Sequence, residues 1–199
     1  MRRIGLLGGS FNPAHAGHRL ISLEALRLLG LDEVWWLVSP QNPLKSKAEM
    51  APLAARLASA QAVADDPRLR VLAIESRLGT RYTIDTVTRL LARWPADRFI
   101  WLMGADILPE LHRWRRWRDL ARRLPLAELA RPGHGAAPAP ALAWLGRWQR
   151  PAAQAMDWPH WPLPALVRLA SAETPESATA IRARDPQWAA AAKTATDAR

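Results

Sequence analysis

Short apolar runs alternate along the chain with longer segments of helical period. Residues 4–7, 34–38 and 99–103 are near-continuous apolar runs of strand length, and residues 70–74 and 126–130 are two more. Runs of this kind belong to strands buried on both faces. Between the first two, residues 16–29 place Leu20, Ile21, Ala25, Leu28 and Leu29 at three- and four-residue spacing ahead of Gly30. That spacing predicts a helix with a glycine stop. Residues 50–64, ended by Asp65-Asp66-Pro67, predict a second helix, and 83–94, with Thr83 as its cap and Pro95 as its end, a third. Residues 110–123 predict a fourth, with Leu111, Trp114 and Ala121, and Leu124 just beyond its end, on one stripe. The alternation predicts an α/β fold: a Rossmann-like doubly wound parallel sheet of about five to six strands with flanking helices and right-handed crossovers.

Beyond Arg131-Pro132-Gly133 the sequence turns to alanine, proline and tryptophan, and GHGAAPAPALAW at 133–144 reads as an irregular surface connection. A helix start returns in residues 173–184, where Thr174 precedes Pro175 and Ser177 or Thr179 can cap. One domain over residues 1–184 is expected, followed by an alanine-rich tail, 185–199, that is either helical or disordered.

Composition narrows the setting. The chain is 49% hydrophobic and 23% charged, and no apolar run approaches the roughly 20 residues that span a bilayer. It has no cysteine, and its N-terminal apolar stretch is too short for a signal peptide, so a cytoplasmic protein without membrane contact is expected. A net charge of +10 favours anionic partners. The segment 112–123, HRWRRWRDLARR, interleaves tryptophan with arginine and raises a nucleic-acid-binding or membrane-surface reading, although such a run is usually a solvated helix face.

Ligands of an open parallel sheet bind beyond the carboxyl ends of its strands. Those positions hold Gly8-Gly9-Ser10 and then His15-Ala16-Gly17-His18, Lys45 and Lys47, Gly104-Ala105-Asp106, and Arg131. The first is an anion site by geometry, because glycines let backbone N–H groups approach a phosphate and the following helix adds its positive end. His15 and His18 suit phosphate oxygens as donors, and each also suits a helix cap or packing on the sheet. As a metal pair they lack a third ligand, so no protein metal site is expected. Asp106 fits either a nucleotide contact or a helix N-cap.

The stretch GGSFNPAHAGH at residues 8–18 resembles the GGSFDPxHxGH segment of the nucleotidyltransferase α/β superfamily, and ESATAIR at 176–182 resembles its late ISSTxIR segment. With YTIDTV at 82–87, GAD at 104–106, HRWRRW at 112–117 and ARPG at 130–133, the pattern is similar to that of the nicotinate mononucleotide adenylyltransferases. The resemblance implies transfer of the adenylyl group of ATP to nicotinate mononucleotide, with Mg²⁺ carried by the ATP phosphates. A sister adenylyl- or cytidylyltransferase using another phosphate acceptor is the alternative. It further implies that His15, His18 and Arg182 act on the triphosphate, with Gly8, Gly9, Ser10, Phe11, Lys45, Ser177 and Thr179 lining its cradle. Gly104, Asp106 and Arg131 would serve the rest of the nucleotide, and Thr83, Asp85 and Trp114 the nicotinate mononucleotide. Asn12 stands where that family has aspartate and Ala178 where it has a second serine, and its aromatic C-terminal ending is not recognisable.

Overall fold

A seven-stranded, all-parallel sheet in the order β3-β2-β1-β4-β5-β7-β6 organises the chain. The computed structural model describes residues 1–40, 50–130, 139–172 and 176–190. The strands are β1 (Arg3–Gly9), β2 (Glu33–Val38), β3 (Leu69–Leu72), β4 (Arg98–Gly104), β5 (Leu126–Ala130), β6 (Gln149–Arg150) and β7 (Leu166–Ala170). The helices are α1 (Ala16–Leu29), α2 (Leu53–Val63), α3 (Ile74–Leu78), α4 (Thr83–Arg93), α5 (Trp117–Ala121), α6 (Leu142–Leu145) and α7 (Ala178–Arg184).

The apolar runs make sense once both sheet faces are covered. Alternate residues of the central strands divide between two cores. Ile4, Leu6, Trp35, Leu37, Trp101 and Met103 face the side closed by α4, α5 and α6. Leu7, Val34, Trp36, Ile100 and Leu102 face the side closed by α1 and the 3-10 segment Ala152–His160. Gly30, left-handed at φ 58, stops α1, as the sequence predicts. The last turn of that helix is then sealed by Trp158, whose buried indole N–H donates to the Leu29 carbonyl at 2.9 Å.

The chain departs from the sequence-based expectation in four places. Ile74 opens α3 instead of ending β3, whose pairing with β2 stops at Leu72 opposite Leu37. Residues 110–123 are not one helix. An extended Trp114 (ψ 141) and a left-handed Arg116 (φ 51) separate the 3-10 turn Leu111–Arg113 from α5. Tyr82, not Thr83, is the N-cap of α4, and Thr83 is its first helical residue. The sheet also gains β6 and β7 from residues 145–172, to which the sequence assigns no element. The charge of Arg168 hides β7 in the sequence, and the fold satisfies it with the buried Glu128 opposite it in register on β5.

Consecutive strands run outward from β1 to β3, and the chain then returns to add β4 on the other side of β1. The carboxyl ends of β1 and β4 therefore flank the crevice where such sheets bind ligands.

Candidate active site

The site is built where β1 ends. Gly8 is required there by contact: a Cβ on it would lie 2.5 Å from Cη2 of Trp101 on β4. Trp101 in turn meets Trp114 edge to face, with ring centroids 5.8 Å apart. The cradle residue Gly8 and the candidate stacking residue Trp114 are thus joined through one buried indole.

Past Gly9 the chain turns through Phe11, a non-glycine residue at φ 47. Its buried ring stacks on Trp36 at 5.1 Å and tilts against His18 at 4.7 Å. Phe11 therefore supports His18 from below, and what it offers a ligand is backbone. Ser22 completes that support, donating to the His18 carbonyl at 2.8 Å and accepting the Trp36 indole N–H at 2.8 Å.

His15 is the N-cap of α1, and its Nδ1 accepts the Gly17 N–H at 3.1 Å. Reciprocally, Nδ1 of His18 accepts the His15 N–H at 3.2 Å. A ring nitrogen that accepts has no proton, so in the neutral imidazole the proton sits on Nε2. The cap thereby fixes both tautomers with Nε2–H as the donating edge, and the two rings lie 4.0 Å apart. A role in capping α1 is therefore compatible with a role in anion binding for these histidines.

The late motif reaches the same place. Arg182 on α7 donates from Nη1 to the carbonyl of Asn12 at 2.6 Å and from Nη2 to Thr179 Oγ1 at 3.2 Å. Ser177 caps α7, its Oγ accepting the Ala180 N–H at 3.1 Å. Asn12 uses its side-chain Oδ1 to accept the Ala51 N–H at 3.1 Å. An aspartate oxygen would accept the same bond, so the amide keeps the contact while removing a charge. Asn12, Met50, Ala51, Arg182 and Trp188 line an open cleft of about 350 Å³ beside this junction.

The remaining expected residues fall around the crevice. Gly104 ends β4, and the exposed Asp106 lies in the turn that follows, its Oδ1 close over Gly104. No helix begins there, so Asp106 is not an N-cap. Thr83 and Asp85 are in the first turn of α4, and Trp114 is half-buried. Lys45, Lys47 and Arg131 lie outside the described residues.

Two residues that sequence reasoning missed organise the site. Arg56 on α2 is 1% exposed, and its guanidinium donates to the carbonyls of Ser10, Ser39, Pro40 and Ala51 at 2.7 to 2.9 Å. It gathers the β1 and β2 ends with backbone acceptors alone among the described residues, and burial lowers its pKa from the ordinary value. Within an amphipathic helix an arginine reads as surface, which is why no sequence signal exposes it. The second is Glu176, whose Oε2 accepts the Ala16 N–H at 3.1 Å, setting a carboxylate at the positive end of α1.

A phosphate cradle at the switch point of a doubly wound parallel sheet defines a nucleotide-binding α/β protein. Residues 6–184 match the family model described as cytidylyltransferase-like, and the chain belongs to that family of nucleotidyltransferases. It is 55% identical over 188 residues to an Erythrobacter litoralis (strain HTCC2594) protein named "Probable nicotinate-nucleotide adenylyltransferase", covering 94% of this chain and 86% of that one. A protein of the same name from Parvibaculum lavamentivorans is 53% identical, with 92% of each chain covered. Among solved structures, Plasmodium falciparum nicotinic acid mononucleotide adenylyltransferase complexed with NaAD superposes with a TM-score of 0.66, covering 92% of this chain and 83% of that one. At 14% identity that likeness bears on the fold alone. No helix among the described residues is long and apolar enough to cross a membrane.

Proposed function

We propose that the chain transfers the adenylyl group of ATP to nicotinate mononucleotide, yielding deamido-NAD and pyrophosphate, as a single domain over residues 1–184 acting in the cytoplasm. The observation that carries this reading is the contact of Arg182 with Asn12, which brings the two phosphate motifs to one side of the crevice. The names of the relatives at 55% and 53% identity supply the acceptor.

A phosphate oxygen of nicotinate mononucleotide attacks the α-phosphorus of ATP, and the bond from that phosphorus to the bridging oxygen breaks, so pyrophosphate leaves with the electron pair. No protein nucleophile takes part. The protein's task is to hold the two anions in line and to stabilise charge that builds on the leaving oxygens. The Nε2–H edges of His15 and His18 and the guanidinium of Arg182 are donors already aimed before reaction, beside the positive end of α1. Gly8, Gly9, Ser10 and the Phe11 backbone form the floor of the cradle, with the Ser177 and Thr179 hydroxyls on its far side. Gly104 and Asp106 border the adenosine. Trp114 offers a face to the pyridine ring, with Thr83 and Asp85 beside it.

Imidazoles, hydroxyls and backbone N–H groups suit phosphate oxygens better than a hard cation, so this donor set fits Mg²⁺ brought in on the triphosphate. When bound, the ion neutralises phosphate charge. Incubation with Mg-ATP and a panel of acceptors tests the assignment. Pyrophosphate release is expected with nicotinate mononucleotide and exceeds that with nicotinamide mononucleotide, phosphopantetheine or glycerol phosphate. No release above background with nicotinate mononucleotide overturns it.

A further inference from the structure

Glu75 on α3 has no part in the chemistry above, yet it is a carboxylic acid only 8% exposed. Among the described residues no arginine or lysine pairs with it. Hydroxyl groups surround it. Thr86 Oγ1 on α4 donates to its Oε1 at 3.3 Å, Thr80 Oγ1 lies 2.8 Å from Thr86 Oγ1, and the Ser39 hydroxyl is a further polar neighbour of the carboxyl group. A buried polar group held this fully is an expensive way to fill a core, because valine or leucine would fill the same volume without desolvation.

Its partners lie on opposite sides of the site. Ser39 follows the last residue of β2, and its N–H donates to the Gly9 carbonyl at 3.0 Å, at the phosphate cradle. The Ser39 carbonyl is also one of the acceptors gathered by Arg56. Thr86 stands one residue after Asp85 in the helix whose first turn carries Thr83. One carboxyl group therefore sits between the cradle end of β2 and the helix on the acceptor side.

We infer that Glu75 is a positioning residue for the acceptor half of the reaction, fixing the first turn of α4 beside the phosphate cradle through the Thr86 hydroxyl. The inference rests on the acceptor assignment made above. Removing the link leaves the cradle intact, since His15, His18 and Arg182 are held by other bonds, but lets α4 shift away from the bound acceptor. The effect falls on acceptor binding and spares ATP.

Steady-state kinetics on the full chain, with ATP and acceptor varied separately, test this. Glu75→Ala is expected to raise the KM for nicotinate mononucleotide about tenfold, the cost of one or two lost buried hydrogen bonds, with the KM for ATP within about twofold of the parent. Glu75→Gln, which keeps the shape and an accepting oxygen, recovers most of the loss. Thr86→Val removes the hydroxyl at constant shape and gives the same acceptor-side effect, so the answer does not depend on whether Glu75→Ala folds. Equal rises in both KM values, or an unchanged acceptor KM in both Glu75→Ala and Thr86→Val, overturn the inference. If the parent turns over a different phosphate acceptor, the assignment above fails while the same comparison with that acceptor still decides the role of Glu75.

Discussion

Arg182 Nη1 donates to the carbonyl oxygen of Asn12 at 2.6 Å, closing a loop of 170 residues between two segments that share no secondary-structure element. The bond orients a planar, permanently charged fork toward the cradle in a way a lysine ammonium cannot reproduce. Arg182→Lys should therefore lose more than half of what Arg182→Ala loses, on a logarithmic scale, with Arg182→Ala lowering kcat/KM for ATP by about 100-fold or more. Lysine restoring near-parental kinetics would reduce the role of Arg182 to bulk positive charge.

His18 separates structural from chemical contributions within one side chain. Its Nδ1 is half of the reciprocal cap on α1, and a lost cap costs about 1 kcal/mol. That cost appears as a fall in Tm of a few degrees. Loss of the Nε2–H donor instead appears in turnover, at about 100-fold in kcat. His18→Ala is expected to show both effects in parallel thermal-melt and pyrophosphate assays. A lowered Tm with unchanged kcat would leave the histidine as a cap alone.

The parallel sheet was legible because parallel strands buried on both faces leave continuous apolar runs, as in Val34 to Val38 and Phe99 to Met103. Seventh-strand residues Leu166 to Ala170 were not legible, since Arg168 looks like a surface residue until Glu128 is placed across from it. The candidate phosphate segment stood out in the sequence because it is local: glycines, a cap and two histidines lie between Gly8 and His18. Arg56 and Glu75 were not, because their partners are backbone carbonyls and hydroxyls distant in sequence, and nothing in composition marks a charged residue as buried.

Glu176 places its carboxylate on the Ala16 N–H, the first helical donor of α1 and a group suited to a phosphate oxygen. A bound triphosphate brings like charge to that spot. Glu176→Gln removes the competing charge while leaving an oxygen to accept the bond, and the KM for ATP should fall severalfold, in the range of about 0.3 to 1 kcal/mol of helix-end electrostatics. The shift should shrink as salt is added. An unchanged or higher KM for ATP would show that the carboxylate serves only as a cap.

Glu75 also makes the stability of the fold depend on pH, with a sign opposite to that of a salt-bridged acid. Burial raises its pKa from an ordinary 4.5 to about 7, while hydrogen bonds from Thr86 and Ser39 pull the other way. The folded protein therefore holds the proton more tightly than the unfolded chain. Below about 4.5 both states are protonated and the group imposes no penalty, and as pH climbs toward 7 only the unfolded chain gains by ionising. Stability falls across that window and levels off above it, by at most on the order of 3 kcal/mol. In Glu75→Gln this contribution disappears. Denaturant melts of parent and variant from pH 5 to pH 8 should show the variant gaining on the parent as pH rises. A constant difference across the range would mean that Glu75 is ionised throughout and that its hydroxyl partners stabilise the charged form.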